Sequence, residues 1–286
     1  MAITATMLYD MVQCPHRMTM DQFGDPSLRD PVNAFVELLW ERGNAYEKEV
    51  IERLTQPYLN LKDYSNPERE RLTLEAMQRG ETLIYAGRII TGNLVGEPDI
   101  LRRQNGGYVA GDIKSGAAEE GGDEDTDGKP KKHYAVQLSL YTDILERIGH
   151  SAGRRPFVWD VHGQEIVYDL DAPQGPRTPQ SLWDVYQEFL SQARAVLKRQ
   201  EQTSPAYGSG KCKLCHWYSA CLKSLEGSND VTLLPDMGRA RHQHLTAEAP
   251  PVRHFPDCAI LCLVAASCIA SPRPPDSVKN AHFNYR

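Results

Sequence analysis

The sequence has no long apolar run. Its longest, Ala259 to Ala270, is broken by cysteine and serine. It falls short of the ~18–20 residues that cross a bilayer, so no membrane partner is expected. The first ten residues, MAITATMLYD, lack the basic n-region and apolar h-region of a secretion signal, and the expected location is the cytoplasm. There is no excess of positive charge: 32 Lys and Arg stand against 38 Asp and Glu, a net charge of −6. That excludes a protein that coats nucleic acid nonspecifically, but not one with a local basic groove. Cysteine is sparse, at seven residues. In a reducing compartment these read as metal ligands or core residues rather than disulfides. A hydrophobic share of 41% over 286 residues is enough for one large domain or two small ones.

What is present is organised around Gly96–Gly116, GEPDILRRQNGGYVAGDIKSG. The pattern predicts a hairpin. A first strand runs from about Asn93 to Arg103, Gln104-Asn105-Gly106-Gly107 turns, and a second strand runs from Tyr108 to Lys114. Residues two apart on a strand share a face, so Asp112 and Lys114 point the same way and Asp99 can lie across from them. Two carboxylates and an ammonium at one end of a sheet are the equipment for metal-assisted phosphodiester hydrolysis. Carboxylate oxygens suit Mg²⁺ or Mn²⁺, the ion lowers the pKa of a bound water, and a lysine stabilises charge on the phosphate. An Asp-Ile-Lys tripeptide is also common on ordinary surface hairpins. Here its neighbours Tyr108, Val109, Ala110 and Ile113 are apolar, which puts the charges in or beside a core strand.

Before the hairpin, Thr4 or Thr6 caps a short helix that delivers Cys14-Pro15. A polar loop over 21–31 leads to a long helix at about 32–54, with Val36, Trp40, Glu47, Ile51 and Leu54 at helical spacing. A loop over 56–70, a helix at about 67–79 and a strand over 82–90 follow. Residues 117–132, with six acids, three lysines and three glycines, read as a solvated, disordered insertion. Their spacing does not match a calcium loop. The helix predicted over 133–148 puts His133, Gln137 and Tyr141 along one face and Val136, Leu140 and Ile144 on another. A strand pair (157–161 and 165–170, turning at His162-Gly163), a proline-rich link over 172–179 and a helix over 180–202 lead to a cysteine segment.

Pro98-Asp99 followed by Asp112-Ile113-Lys114 resembles the signature of the PD-(D/E)XK nuclease superfamily. Gln137-Leu138-Ser139-Leu140-Tyr141 resembles the QxxxY motif of its RecB-like exonuclease branch, and Gly43-Asn44-Ala45-Tyr46-Glu47 that branch's first-helix motif. The resemblance implies an α/β, restriction-endonuclease-like core, a mixed central sheet flanked by helices. It implies that Asp99, Asp112, the Ile113 carbonyl and Glu47 hold Mg²⁺ or Mn²⁺, that Lys114 assists attack by water, and that Gln137 and Tyr141 position DNA or the lysine. The alternative for the last two is plain helix packing. Where the family commonly has a metal-binding His, this chain has Tyr46. Either Glu47 supplies that ligand or the site is weakened.

Cys212-x2-Cys215-x5-Cys221 offers three close thiolates, and Cys14 is the natural fourth. With His216 nearby, spacing alone favours Zn²⁺. The pattern also resembles the 4Fe–4S clasp of AddB-type and CRISPR-associated RecB-like exonucleases, and that resemblance favours iron–sulfur. Either would tie residue 14 to residue 221, with Lys211, Lys213 and Lys223 placed to meet DNA backbone. Cys258, Cys262 and Cys268 read as incidental.

The expected organisation is a nuclease domain over 1–225, with an N- and C-terminal cysteine cluster, and an irregular tail over 226–286. The resemblance fades between about Arg241 and Ala249, short of the RNase H-like second domain of one such family, so the tail reads as truncated or frame-disrupted. The leading function is a metal-dependent deoxyribonuclease, an exonuclease on single-stranded DNA ends with a role in DNA repair. The alternatives are a catalytically weakened DNA-binding module and a zinc-stapled interaction protein.

Overall fold

At the start of the chain the Met7 N–H donates to Thr4 Oγ1 at 3.1 Å, so Thr4 caps the first helix as expected. In this computed structural model, residues 1–121, 128–175, 178–234 and 237 are described, within a compact unit spanning Met1–Gly238. Strand β1 (Ile3–Thr4) leads into α1 (Ala5–Gln13), and α2 (Pro15–Phe23) starts with proline at its first position. Then come α3 (Ala34–Glu52), β2 (Leu59–Asn60) and α4 (Asn66–Arg79), which a Ser65/Glu68 capping box opens and Gly80 at φ +79° closes. Strands β3 (Leu83–Tyr85), β4 (Ile89–Thr91), β5 (Leu94–Gly96), β6 (Ile100–Gln104) and β7 (Gly107–Ile113) follow. After β8 (Glu119–Glu120) and β9 (Lys129–Pro130) comes α5 (Lys132–Arg147). The chain continues through β10 (Phe157–Trp159), β11 (Glu165–Val167), β12 (Pro173–Gly175) and β13 (Thr178–Ser181). Helices α6 (Leu182–Leu197), α7 (Ser209–Cys212) and α8 (Tyr218–Gly227) follow, and short 3-10 turns lie at Pro26–Leu28 and Val231–Leu233.

A six-stranded sheet in the order β11-β10-β7-β6-β3-β2 forms the centre. It is mixed: β6 and β7 pair antiparallel, and β7 and β10 pair parallel. All seven residues of β7 are buried. Its alternate residues serve two cores. Tyr108 and Ala110 join α1, α5 and α6 on one face, while Val109 and Ile113 join Ile51 of α3 on the other. This is the expected mixed sheet flanked by helices.

Several boundaries differ from the sequence expectation. The first hairpin strand is two strands: β5 belongs to a separate sheet with β4 and β1, and β6 to the central sheet. Between them, Pro98 has no N–H for a ladder. The strand expected over 82–90 is likewise divided into β3 and β4, where Ala86 takes φ +56°. The flanks of the acidic insertion are ordered, since β8 and β9 pair antiparallel, while residues 122–127 lie outside the described set. The proline-rich link is a hairpin of β12 and β13. The predicted stripe of α3 is buried only at Ile51, and Trp40 is 58% exposed. The described chain continues in order past residue 225: the Tyr207 N–H donates to buried Thr232 at 2.9 Å. Most of the expected tail, with Cys258, Cys262 and Cys268, lies outside the described residues.

Candidate active site

The Asn105-Gly106 turn takes φ values of +49° and +83°, the left-handed pair that a two-residue hairpin turn needs. It locks β6 against β7 with Ile100 opposite Gly111. One step further, the same register sets Asp99 opposite Asp112. The Ile113 N–H donates to Asp99 Oδ2 at 2.8 Å, which holds that carboxyl at the end of the sheet. Asp112 is 1% exposed, and Lys114 Nζ lies 3.0 Å from its Oδ2. That contact pairs the ammonium with a buried carboxylate oxygen. Like charges placed opposite each other on a ladder repel. Burial, and then Asp112, push the Asp99 carboxyl up to about 7, with Lys114 opposing. Burial works against the charge on Lys114, but Asp112 and Asp99 outweigh it and hold the ammonium above its ordinary range.

The helix behind the strand fixes the lysine. Lys114 Nζ donates to Gln137 Oε1 at 3.2 Å, Gln137 Nε2 donates to the Tyr141 hydroxyl at 2.9 Å, and Tyr141 donates to the Glu97 carbonyl at 3.3 Å. The relay runs from the end of β7, along α5, back to the residue before Pro98. Gly96 makes room for it, since a Cβ there would stand 2.8 Å from Tyr141 Cδ1.

Glu47 comes from α3 and is near enough to contribute to the upward push on Asp99. Its Oε1 accepts from the Tyr85 hydroxyl and from Lys62 Nζ, both at 2.7 Å. Tyr46 points its hydroxyl elsewhere, to the carbonyl of Asp160 beyond β10. The sequence reading did not find Lys62 and Tyr85. Their only signal was a lysine and a tyrosine in a loop and a short strand far from any motif.

A family model of the PD-(D/E)XK nuclease superfamily matches residues 16–222. The chain belongs to the PD-(D/E)XK nuclease superfamily. No curated protein matches it. Membership implies a metal-dependent nuclease, and members typically use Mg²⁺ or Mn²⁺. The donor set in this PD-(D/E)XK chain fits such an ion: two carboxylates with hard oxygens, Asp99 and Asp112, stand against the single ammonium of Lys114. Among the described residues, no three His, Cys, Asp or Glu side chains stand together in a metal-holding group. The site thus resembles the Mg²⁺ pattern of one or two carboxylates completed by water and substrate phosphate.

The cysteines stand apart from this centre. Cys14 lies in extended backbone between α1 and α2. Burial pushes the Cys215 thiol up, and Cys14 and Cys212 are near enough to add to that. Cys212 Sγ accepts the Gly208 N–H at 3.2 Å and Cys215 Sγ the Trp217 N–H at 3.5 Å. His216 is engaged by Asp21, 2.6 Å from its Nε2. The two ends of the fold also meet without any metal: Trp217 Nε1 donates to Asp21 at 2.8 Å, the Asp30 N–H to the His216 carbonyl at 2.8 Å, and the Ser219 N–H to Asp30 at 2.9 Å. Among the described residues no helix is long and apolar enough to cross a membrane.

Proposed function

We propose that this PD-(D/E)XK protein is a RecB-like deoxyribonuclease that hydrolyses phosphodiesters at single-stranded DNA ends, working with Mg²⁺ or Mn²⁺. The observation that carries the reading is the convergence of Asp99, Asp112 and Lys114, with the lysine tied through Gln137 to Tyr141. Asp99, Asp112, Glu47 and the Ile113 carbonyl would hold the ion. When bound, it would activate water and neutralise charge on the phosphate. Lys114 enters as an ammonium, so its work is electrostatic: it faces the charge that grows on the phosphate oxygens. Gln137 and Tyr141 keep it from swinging away. Cys14, Cys212, Cys215 and Cys221 are assigned to a 4Fe–4S cluster, with Zn²⁺ as the alternative, that reinforces the contacts between the two ends of the domain.

The test uses protein purified without oxygen, metal analysis, and labelled single strands blocked at the 5′ or 3′ end. Wild type is expected to cut in Mn²⁺, and Asp112→Ala to be inactive but folded. Equal rates for the two proteins would overturn the reading. A second reading, a DNA-binding module with a weakened site, is favoured by Tyr46, whose hydroxyl is committed to Asp160 where the family commonly offers a histidine. Wild type that binds single strands but cuts with no divalent ion would select it.

A further inference from the structure

Next to the acids lies a cavity of about 840 Å³, walled by α1, the first half of α3, the start of α5 and the cysteine segment. Lys114 and Gln137 are among the residues that line it, so it reaches the candidate catalytic centre. Its lining carries two chemistries. Val36, Leu39 and Trp40 of α3 supply apolar surface. Leu39 is 44% exposed, Trp40 is 58% exposed, and Phe35 beside them is 53% exposed. An amphipathic helix normally spends its apolar face on the core. The second half of α3 does so through Ile51, whereas the first half leaves its large apolar groups uncovered at the mouth of a charged site. Exposed apolar patches of this kind mark binding surfaces.

The same lining carries Lys211 and Lys213. Among the described residues neither has an acidic partner. The two carboxylates that line the cavity are already engaged, Asp10 by Arg17 at 3.1 Å and Asp30 by the Ser219 N–H at 2.9 Å. A positive field is felt at the rim. Burial first, then Lys131, Lys211 and Lys114, push the His133 ring down to about 4, so it stays neutral and packs edge-on against Tyr9 and Tyr134. Lys114 lies 5.3 Å from the centre of the Tyr134 ring. This local positive charge runs against the net charge of −6 of the whole chain.

A suitable occupant combines planar apolar faces with regularly spaced negative charges, and brings a phosphodiester to Lys114. A single strand of nucleic acid has these features. A duplex hides its base faces in its own stack, and an apolar peptide would leave the lysines unused. We propose that the cavity is the channel for one DNA strand, with bases stacked on Trp40 and phosphates neutralised by Lys211 and Lys213. The inference rests on the phosphodiester-hydrolase reading and adds the wall that selects single strands.

The experiment measures anisotropy of a fluorescein-labelled oligothymidylate with Mg²⁺ and Mn²⁺ withheld, so that binding is read without cleavage. Trp40→Ala is expected to weaken binding about tenfold or more, and Trp40→Phe to retain most of it. The Lys211→Ala/Lys213→Ala double variant is expected to weaken binding and to lower the slope of log Kd against log salt by about 1.4. An unlabelled duplex is expected to compete poorly. Variants that bind as wild type, or a duplex that competes as well as the single strand, would overturn the channel. So would a Trp40→Ala change that shifts sedimentation while leaving DNA binding intact, since the face would then be a contact between copies of this chain. The two readings fail separately. Cleavage by wild type with unchanged binding in the variants removes the channel alone, and binding lost in Trp40→Ala without cleavage by wild type in Mn²⁺ removes the nuclease reading alone.

Discussion

Replacing Asp112 by Asn separates a site built for a cation from an ordinary buried ion pair. Removing one partner of a buried pair usually costs about 3–5 kcal/mol, because the other charge is stranded. Here the count of charges predicts a much smaller cost. Lys114 sits between two carboxylates, and Asp112→Asn leaves it with Asp99, whose Oδ2 is already held by the Ile113 N–H. The push on Asp99 from its usual 3.8 to about 7 corresponds to a ceiling of about 4 kcal/mol of destabilisation in the metal-free state. Burial is the larger cause and stays in the variant; Asp112 is the second and is removed. That relief is set against the lost Lys114–Asp112 contact, so the variant is expected to melt within a few degrees of wild type rather than far below it.

The pH dependence gives the sign independently. In the unfolded chain Asp99 ionises near 3.8, while in the folded chain it keeps its proton up to about 7. Between those values the folded state binds more protons, so stability from this group is full below pH 4 and is lost as pH rises to 7. In the Asn variant the Asp99 pKa falls, the window narrows, and the stability difference grows from pH 5 to pH 8. Mn²⁺ favours the wild type: it is expected to stabilise the site with both carboxylates, by about 2.7 kcal/mol at a hundred times its Kd, and to do much less for the variant. Thermal melts of both proteins at pH 5 and pH 8, with and without Mn²⁺, decide the matter. A variant that melts well below wild type at pH 8 without metal, with a difference independent of pH, would refute the excess-charge argument.

Two further outcomes follow from neighbouring contacts. Gly96→Ala puts a Cβ 2.8 Å from Tyr141 Cδ1, so it is expected to cost about 1–3 kcal/mol in urea denaturation and to lower cleavage by more than its stability loss explains, through the Tyr141–Gln137–Lys114 relay; full activity in Gly96→Ala would argue against that relay. Asp21→Ala removes the acceptor shared by His216 and Trp217 and frees the Arg29 ion pair, for an expected loss of about 2–3 kcal/mol followed by tryptophan fluorescence, and an unchanged urea midpoint would show that the clasp does not depend on this carboxylate.

The hairpin was legible in sequence because its determinants are local. Asn105-Gly106 fixes the turn, the turn fixes the register, and the register sets Asp99 opposite Asp112. Gln137 and Tyr141 were legible for a similar reason, being one helical turn apart on α5, and they do share a hydrogen bond. The break at Pro98 could have been read as well, since a proline without N–H sits poorly inside a strand. The exposed half of α3 could not. Periodicity shows that Val36, Trp40 and Ile51 share a stripe, but not how far the sheet extends beneath it, and the sheet supports only the half that carries Ile51.

Tyr46 and Glu47 show where local reading stops. As neighbours on a helix they point about a quarter-turn apart, and sequence alone left open whether Glu47 supplies the ligand that Tyr46 cannot or the site is weakened. Contacts from distant parts of the chain set where each side chain goes. The Asp160 carbonyl, 114 residues away, takes the Tyr46 hydroxyl, while Tyr85 and Lys62 hold the Glu47 carboxylate. The lysine contact has a consequence. In the metal-free state Lys62 neutralises Glu47 from a half-exposed position, where an ion pair is worth at most about 1 kcal/mol. So weak a contact holds the carboxylate without trapping it, and we propose that Glu47 is a third acid open to a divalent ion that Asp99 and Asp112 would hold.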